Sequence, residues 1–485
     1  MTLQSNTITY GTPQFGLLSR DQLDRLHHAS LEILDRTGVL LYDQAALDLL
    51  AQAGVQTVDG NRVRIPPGLV DWALSMAPRR VVLCDRNGGR ALPLERQNVF
   101  YGPGSDCPYV LDHRTGQRRP GTLRDIREGI RLCDALPNID FLMSLCVPSD
   151  MEDPAVADRY QMHTMLANST KPIIFVTTEF GGCIDAVRML EAVAGGEEAL
   201  RRDPIAACYI NVTDPLRHNA EALQKLLYMA GKGLPCTYTP VVLRGLNGPV
   251  TPAGALALAN AGELVGLTLA QLKREGAPVI HSGGYNDMFD MRTMVALYGD
   301  PKGFAGRTQL THHYGLPSFG LAGATDAKLP DQQAGAEVAF SLMLETFIGA
   351  NLVHDLGYLE SGKCYSFEQL VICDELVNYL KRFMQGLEVT DETLALDLID
   401  EMGPGGDYLG TDQTMERFRE DWYPELLDRQ DFSGWDSDGG TTLRERARER
   451  VEELLASHHP DPLPDDVEHR IRDIVKGAGA GASLP

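Results

Sequence analysis

The sequence predicts an α/β fold, a (β/α)8 TIM barrel with an N-terminal α/β extension and a C-terminal helical extension. Eight short apolar runs rich in Val, Ile and aromatic residues recur at 98–102, 139–144, 172–177, 205–210, 235–239, 278–281, 318–321 and 351–354. A polar loop and then a helical pattern follow each run, which is the rhythm of strand-then-helix units. The helical stretches also carry start signals: Thr122 before LRDI, Thr251 then Pro252 before AGALALANAGEL, and Asp300 then Pro301 before KGF. Each pairs a capping side chain with a helix-compatible first residue. Eight such units fit a closed barrel better than the alternative, an open eight-stranded sheet.

Residues 1–95 read as an N-terminal layer, with amphipathic helices at 21–36 and 43–53 and a strand at 80–84. Residues 96–388 hold the barrel, and beyond its eighth run Ser366 and Gln369 form a capping box that opens the helix FEQLVICDELVNYLKRF. Residues 389–485 are mostly helical and strongly charged. Their charge run in TTLRERARERVEELLASHH reads as a solvated helix face, and the closing GAGAGASLP has the composition of a flexible tail.

The 485 residues include 44 Lys and Arg against 67 Asp and Glu, a formal charge of −23. That surplus repels phosphate backbones and anionic lipid, so neither nucleic acid nor a membrane is an expected partner, and cationic or zwitterionic small molecules stay open. No long uncharged apolar window and no basic-then-apolar leader is found, so the expected location is cytoplasmic. The nine cysteines form no C-x-x-C pair and are expected to be buried free thiols.

Phosphate-loop, dinucleotide, H-E-x-x-H and G-x-S-x-G signatures are absent. In Tyr101-Gly-Pro-Gly-Ser105 the proline removes a donor that phosphate cradling would use, so a tight backbone turn is expected there. His312 and His313 are adjacent on a helix and point about 100° apart, a poor arrangement for one metal ion.

Active sites in this architecture lie at the C-terminal ends of the strands. The residues there are rich in Tyr, hydroxyls and neutral amides and hold few carboxylates. Aromatic faces attract a diffuse positive charge without requiring a hydrogen bond, so the set suits an onium ion. Tyr101, Phe180, Tyr209 and Tyr238 are the candidate walls; Asn211, His281 and His354 are candidates for orienting a substrate carboxylate, and Asp326 joins the set at the seventh strand end. No metal ligands are expected.

Three long segments, GPVTPAGALALANAGELVGLTLAQL (248–272), TDAKLPDQQAGAE (325–337) and HDLGYLESGKCYSFEQLVICDEL (354–376), resemble the trimethylamine methyltransferase family. The resemblance runs from about residue 15 to about 455. It implies a (β/α)8 barrel that passes a methyl group from an amine to the cobalt of a corrinoid on a separate small protein. Members that demethylate trimethylamine itself contain pyrrolysine, whereas this chain shows only the twenty standard residues and is similar to the non-pyrrolysine branch of glycine betaine:corrinoid methyltransferases. That branch implies a quaternary amine substrate, most simply glycine betaine giving dimethylglycine, because a quaternary ammonium already releases a neutral amine. Corrinoid carriers hold cobalamin through a D-x-H-x-x-G loop that is absent here, so cobalamin is expected on a partner. Self-association into a homo-oligomer is expected. Another small-amine barrel enzyme, a lyase or hydrolase, and a non-catalytic betaine-binding barrel are the alternatives.

Overall fold

In a computed structural model of the chain, residues 3–5, 8–10, 15–300, 305–420 and 422–479 are described. Seven of the eight apolar runs form strands: Asn98–Pro103, Ile173–Phe175, Ala206–Val212, Cys236–Arg244, Val279–Ile280, Phe319–Leu321 and Leu352–Leu356. The run at 139–144 joins them without regular strand geometry. Leu142 bridges Ile173 in parallel, and the Asp140 and Leu145 N–H groups donate to the carbonyls of Tyr101 and Gly104 at 2.6 and 3.0 Å.

Parallel contacts link each run to the next: Ile173 opposite Ala206, Cys208 opposite Cys236, Cys236 opposite Val279, His281 opposite Ser318, and Phe319 opposite Leu352. Leu352 then pairs with Phe100 of the first run. Parallel neighbours need crossover connections, and helices supply them. The fold is mixed α/β with this parallel sheet at its centre.

Each expected start signal on described residues stands at a helix start, but Thr251 makes no side-chain cap hydrogen bond and only the Ser366 half of the expected capping box forms. Thr122 and Asp125 form a full capping box at the helix Leu123–Ala135, Thr251 with Pro252 opens Pro252–Lys273, and the Ser366 hydroxyl accepts the Gln369 N–H at Phe367–Met384. Pro301 and the KGF segment after it lie outside the described residues, as does most of the glycine-rich tail. Pro252–Lys273 is the one helix among the described residues long and apolar enough to cross a membrane, yet it is largely buried within the fold.

Side chains alternate across each strand, so one set faces the sheet's interior and the other faces the helices. Phe100, Phe141, Met143, Ile174, Ala207, Ile280, Phe319 and Leu352 share the interior cluster. Val81, Leu83, Leu92 and Leu94 complete it from an antiparallel hairpin, Val81–Cys84 with Arg90–Leu94. The Cys84 N–H donates to the Pro204 carbonyl at 2.8 Å, just before a central strand begins, so the hairpin plugs the N-terminal end of the sheet. Any opening therefore lies at the C-terminal ends.

The charged helix Leu443–Ser457 is not solvated all round. It buries Ala447 and Val451, and Arg444 reaches the buried Glu368 at 3.2 Å. All nine cysteines are buried free thiols.

The plug makes a stability prediction. Leu83 is fully buried, and Leu83→Ala is expected to cost about 2 to 5 kcal/mol in urea unfolding.

Candidate active site

At the C-terminal ends of the strands lies a cavity of about 260 Å³ lined by Ser105, Asp106, Tyr209, Asn211, Val241, Leu243, Asp287, Ala296, Tyr298, His354, Asp355, Tyr358 and Gly362. It is slightly smaller than the pockets that hold drug-sized ligands. Of the expected site residues, the structure brings Tyr209, Asn211 and His354 together here.

Strand alternation turns three others away. Phe100 points inward and Gly102 meets the Phe141 ring, so Tyr101 between them faces the helices, where its hydroxyl shares a 2.8 Å hydrogen bond with Thr346. Tyr238 lies between Thr237 and Thr239, stacks on His218 and shares a 2.7 Å hydrogen bond with it. His281 likewise faces outward, 2.9 Å from the Thr311 hydroxyl, and burial drops its pKa to about 3. Phe180 begins a helix on the outer surface and lines a separate groove with Tyr228 and Lys232. These four residues do not line the cavity.

Asp326 stands one step behind it. Its carboxylate accepts the Tyr298 and Gly299 N–H groups at 2.8 and 3.0 Å and the Ser361 hydroxyl at 2.7 Å. It therefore ties together two loops that bring Tyr298, Tyr358 and Gly362 to the cavity. Glu337 supports it by accepting the Asp326 N–H at 2.8 Å.

The expectation of few carboxylates is corrected by the lining itself, which holds Asp106, Asp287 and Asp355. Asp106 follows the first strand in a left-handed conformation and accepts the Ser144 hydroxyl at 3.2 Å. It is solvent-exposed where it lines the cavity, and the surrounding protein raises its pKa against the opposing hydrogen bonds from Ser105 and Ser144. Burial raises Asp287 to about 6, against the opposing pull of Arg307 and then Arg244. Asp355 is raised well above the usual carboxylate range by burial, opposed by Arg307 and reinforced by Asp287 and Asp106. The common cause is the cost of an ionised group in a low-dielectric site. Among the described residues, no group of three His, Cys, Asp or Glu side chains is placed to hold a metal ion.

Tyr209, Tyr298 and Tyr358 supply the aromatic surface. The Tyr298 and Tyr358 ring centres are 6.5 Å apart, and Tyr209 is 6.2 Å from His354. Gly104 makes the packing possible, since a Cβ there would come within 2.2 Å of the Tyr358 ring and 2.4 Å of the Asp355 carboxylate. The Tyr358 hydroxyl donates to the Ser105 carbonyl, so the ring is fixed at its far end. His354 stacks on Phe319 at 4.1 Å, and its Nδ1 donates to the Gly320 carbonyl at 2.5 Å. Burial lowers its pKa to about 3, so the ring is neutral and turns Nε2, an acceptor, toward Asp355 at 3.6 Å.

Sequence reasoning missed Asp106, Tyr298 and Tyr358 because each lies two or three residues past a strand end, and Asp287 because it lies within Tyr285–Asp290, a strand beyond the apolar runs. The two-residue alternation was the available signal. Extended beyond Tyr209 it selects Asn211, and extended beyond Thr239 it selects Val241 and Leu243 rather than Tyr238.

The site is an enclosed aromatic and carboxyl-lined cavity at the C-terminal ends of parallel strands, the place where enzymes of α/β architecture bind their substrates. The family described as Trimethylamine methyltransferase (MTTB) matches residues 1–480. Among relatives, a protein named trimethylamine methyltransferase from Desulfitobacterium hafniense (strain DSM 10664 / DCB-2) is 32% identical over 95% of this chain and 94% of its own length. A glycine betaine methyltransferase from D. hafniense (strain Y51) is 28% identical over 96% of this chain and 98% of its own. The crystal structure of the Methanosarcina barkeri monomethylamine methyltransferase superposes with a TM-score of 0.50 at 10% identity, covering 91% of this chain and 89% of that one, a likeness of fold alone. The chain belongs to the trimethylamine methyltransferase family and is a methyltransferase of that family.

The raised Asp287 makes a pH prediction. An ionised carboxylate attracts a cation and a protonated one does not, so affinity rises as pH climbs through the folded pKa of about 6. Tetramethylammonium is expected to bind roughly tenfold more tightly at about pH 7 than at about pH 5 by calorimetry, with the profile flattened in Asp287→Asn.

Proposed function

We propose that the protein moves a methyl group from a quaternary amine, glycine betaine being the first candidate, to the cobalamin of a separate corrinoid protein and releases a tertiary amine such as dimethylglycine. The observation that carries the reading is the cavity, in which three tyrosines and three carboxyl groups surround a space sized for a small amine. Family membership supplies the reaction class. The relatives' names cover both a tertiary and a quaternary amine, and the absence of pyrrolysine from this sequence favours the quaternary one.

Closure of the central sheet into a (β/α)8 barrel belongs to the same reading. It is supported by the contacts that return from Leu352 to Phe100 and by the hydrogen bonds that tie the irregular run to its neighbours.

Tyr209, Tyr298 and Tyr358 hold the ammonium by their faces, and Asp287 adds the Coulombic attraction. Asn211 offers an amide N–H to the substrate carboxylate. Asp355, whose pKa burial raises well above the usual carboxylate range, lines the same cavity. His354, its ring fixed by the Gly320 carbonyl, lines the cavity with Asn211 and remains a candidate for orienting the carboxylate. The N–C bonding pair stays with nitrogen, so the amine leaves neutral and no general acid is needed. A cavity of about 260 Å³ admits the amine but not a corrinoid, and the sequence has no D-x-H-x-x-G loop, so the residues fit a corrinoid brought to the mouth by a partner. The corrinoid supplies a low-valent cobalt nucleophile that accepts the methyl group. The chain contributes positioning, worth about 7 to 11 kcal/mol in well-oriented reactions, and exclusion of water.

Homo-oligomer formation is also part of the reading. The helices Asp391–Leu394, Leu396–Met402 and Asp412–Arg417 bury no residue in the single chain, while Leu387 and Leu409 nearby are 93% and 78% exposed.

With free cob(I)alamin and glycine betaine, the protein is expected to consume cob(I)alamin, followed by absorbance, and to form dimethylglycine in equal amount. Turnover of trimethylamine with no turnover of any quaternary amine would refute the substrate class. Tyr209→Leu is expected to weaken betaine binding by roughly 0.5 to 2 kcal/mol.

A further inference from the structure

Above the cavity the strand Cys236–Arg244 continues beyond the central sheet, and its second half pairs in parallel with Tyr285–Asp290. That strand turns through residues 291–294 and returns as Val295–Ala296. The three strands form a flange whose inner face, through Val241, Leu243, Asp287 and Ala296, is one wall of the cavity.

At the free end of the flange, apolar side chains point into solvent. Met291 and Met294 are each 63% exposed, and Leu246, in the turn that ends the first flange strand, is 59% exposed. The turn that presents them is built rather than loose. The Asp290 carboxylate accepts the Arg292 N–H at 3.0 Å, Arg292 Nε at 2.9 Å and the Thr293 hydroxyl at 3.1 Å, and the Met294 N–H donates to the Asp290 carbonyl at 2.7 Å. Met294 holds φ at +59°, an uncommon conformation for a side-chain-bearing residue. Flexible methionines on an ordered scaffold make an apolar surface that adapts to a partner.

We propose that this flange tip, Met291, Met294 and Leu246, is a docking surface for the corrinoid carrier protein, an inference that rests on the methyl-transfer reading above. The amine occupies a cavity too small for the corrinoid, so the corrinoid reaches the mouth while still attached to its protein. The carrier must then touch the rim. The flange is continuous with the site, since Asp287 at the cavity wall and Met291 at the tip belong to one hairpin. Its apolar tip fits the apolar core of a transient protein contact, and the exposed Arg292 beside it fits the polar rim.

The test uses two acceptors with the same enzyme: free cob(I)alamin, and cobalamin bound to a carrier protein that supports turnover by the native chain. The double variant Met291→Asp/Met294→Asp is expected to lose about tenfold or more in kcat/KM for the carrier while keeping its rate with free cob(I)alamin within about twofold. Retention of the second rate shows that the variant is folded. Leu246→Asp, on the neighbouring strand, should show the same split and serves where the double variant does not fold. Unchanged kinetics with the carrier, or equal losses with both acceptors, would overturn the proposal. Absence of methyl transfer by the native chain with either acceptor would instead overturn the methyl-transfer reading, and it is detected before any variant is made.

Discussion

The buried Arg307 guanidinium is the cation that acts on both Asp287 and Asp355 at the cavity, with the buried Arg244 adding to its pull on Asp287. Arg307 is 2% exposed, lies 3.7 Å from the Glu345 carboxylate, and pulls on Asp287 and Asp355 through the field. It sits on the helix Ala305–Tyr314 that precedes Phe319–Leu321, while Asp355 ends the neighbouring strand and Asp287 belongs to the flange. A buried cation with no counter-charge, or the two buried carboxyls Asp287 and Asp355 with no cation, would each carry a large desolvation cost. Because the groups come from different units of the chain, their mutual compensation ties the geometry of the site to the correct assembly of the whole sheet.

The same interdependence explains the unusual backbone at the mouth. Asp106 and Asp355 both hold positive φ, at +67° and +79°. Such conformations persist in side-chain-bearing residues only where the surroundings over-determine them. Here the surroundings are specific: Ser144 holds Asp106, the Ser105 carbonyl takes the Tyr358 hydroxyl, and Gly104 leaves the space that the Tyr358 ring and the Asp355 carboxylate fill. The tight turn expected at Tyr101–Ser105 does not form, since the strand Asn98–Pro103 stays extended through Gly102 and Pro103, and the glycine just past its end meets a packing requirement instead. It lets an aromatic ring and a carboxyl approach the backbone at the point where the first strand ends.

What was legible in the sequence followed from local periodicity. Seven apolar runs became strands near their expected limits because a short run of branched and aromatic residues bounded by turn residues has few other ways to be buried, and the caps at Thr122 and Ser366 depend on only four residues each. Side-chain direction was less accessible. Tyr101, Tyr238 and His281 have the right chemistry at the right strand ends, but the packing of Phe100 and of Thr237 with Thr239 sets the inward face, and a slip of one residue reverses it. Asp287 and Tyr298 were out of reach for a different reason. They enter the site through a flange that pairs only after the central strand has run past the sheet, a non-local arrangement that no short window of sequence contains.

The composition of the lining has a kinetic logic under methyl transfer. The positive charge that draws the amine into the site disappears from nitrogen as the methyl group leaves, so any fixed negative charge favours the bound substrate over the transition state. Three fully ionised carboxylates would hold the cation tightly and raise the barrier. The protein around them raises all three pKa values, Asp287 only to about 6 so that it keeps a clear charge near neutral pH, and Arg307 offsets part of the field at Asp287 and Asp355. The attraction left to the tyrosine faces is a quadrupole attraction, present without net charge and small enough to lose at little cost. A cavity built this way captures an onium ion from water and still lets it become a neutral amine.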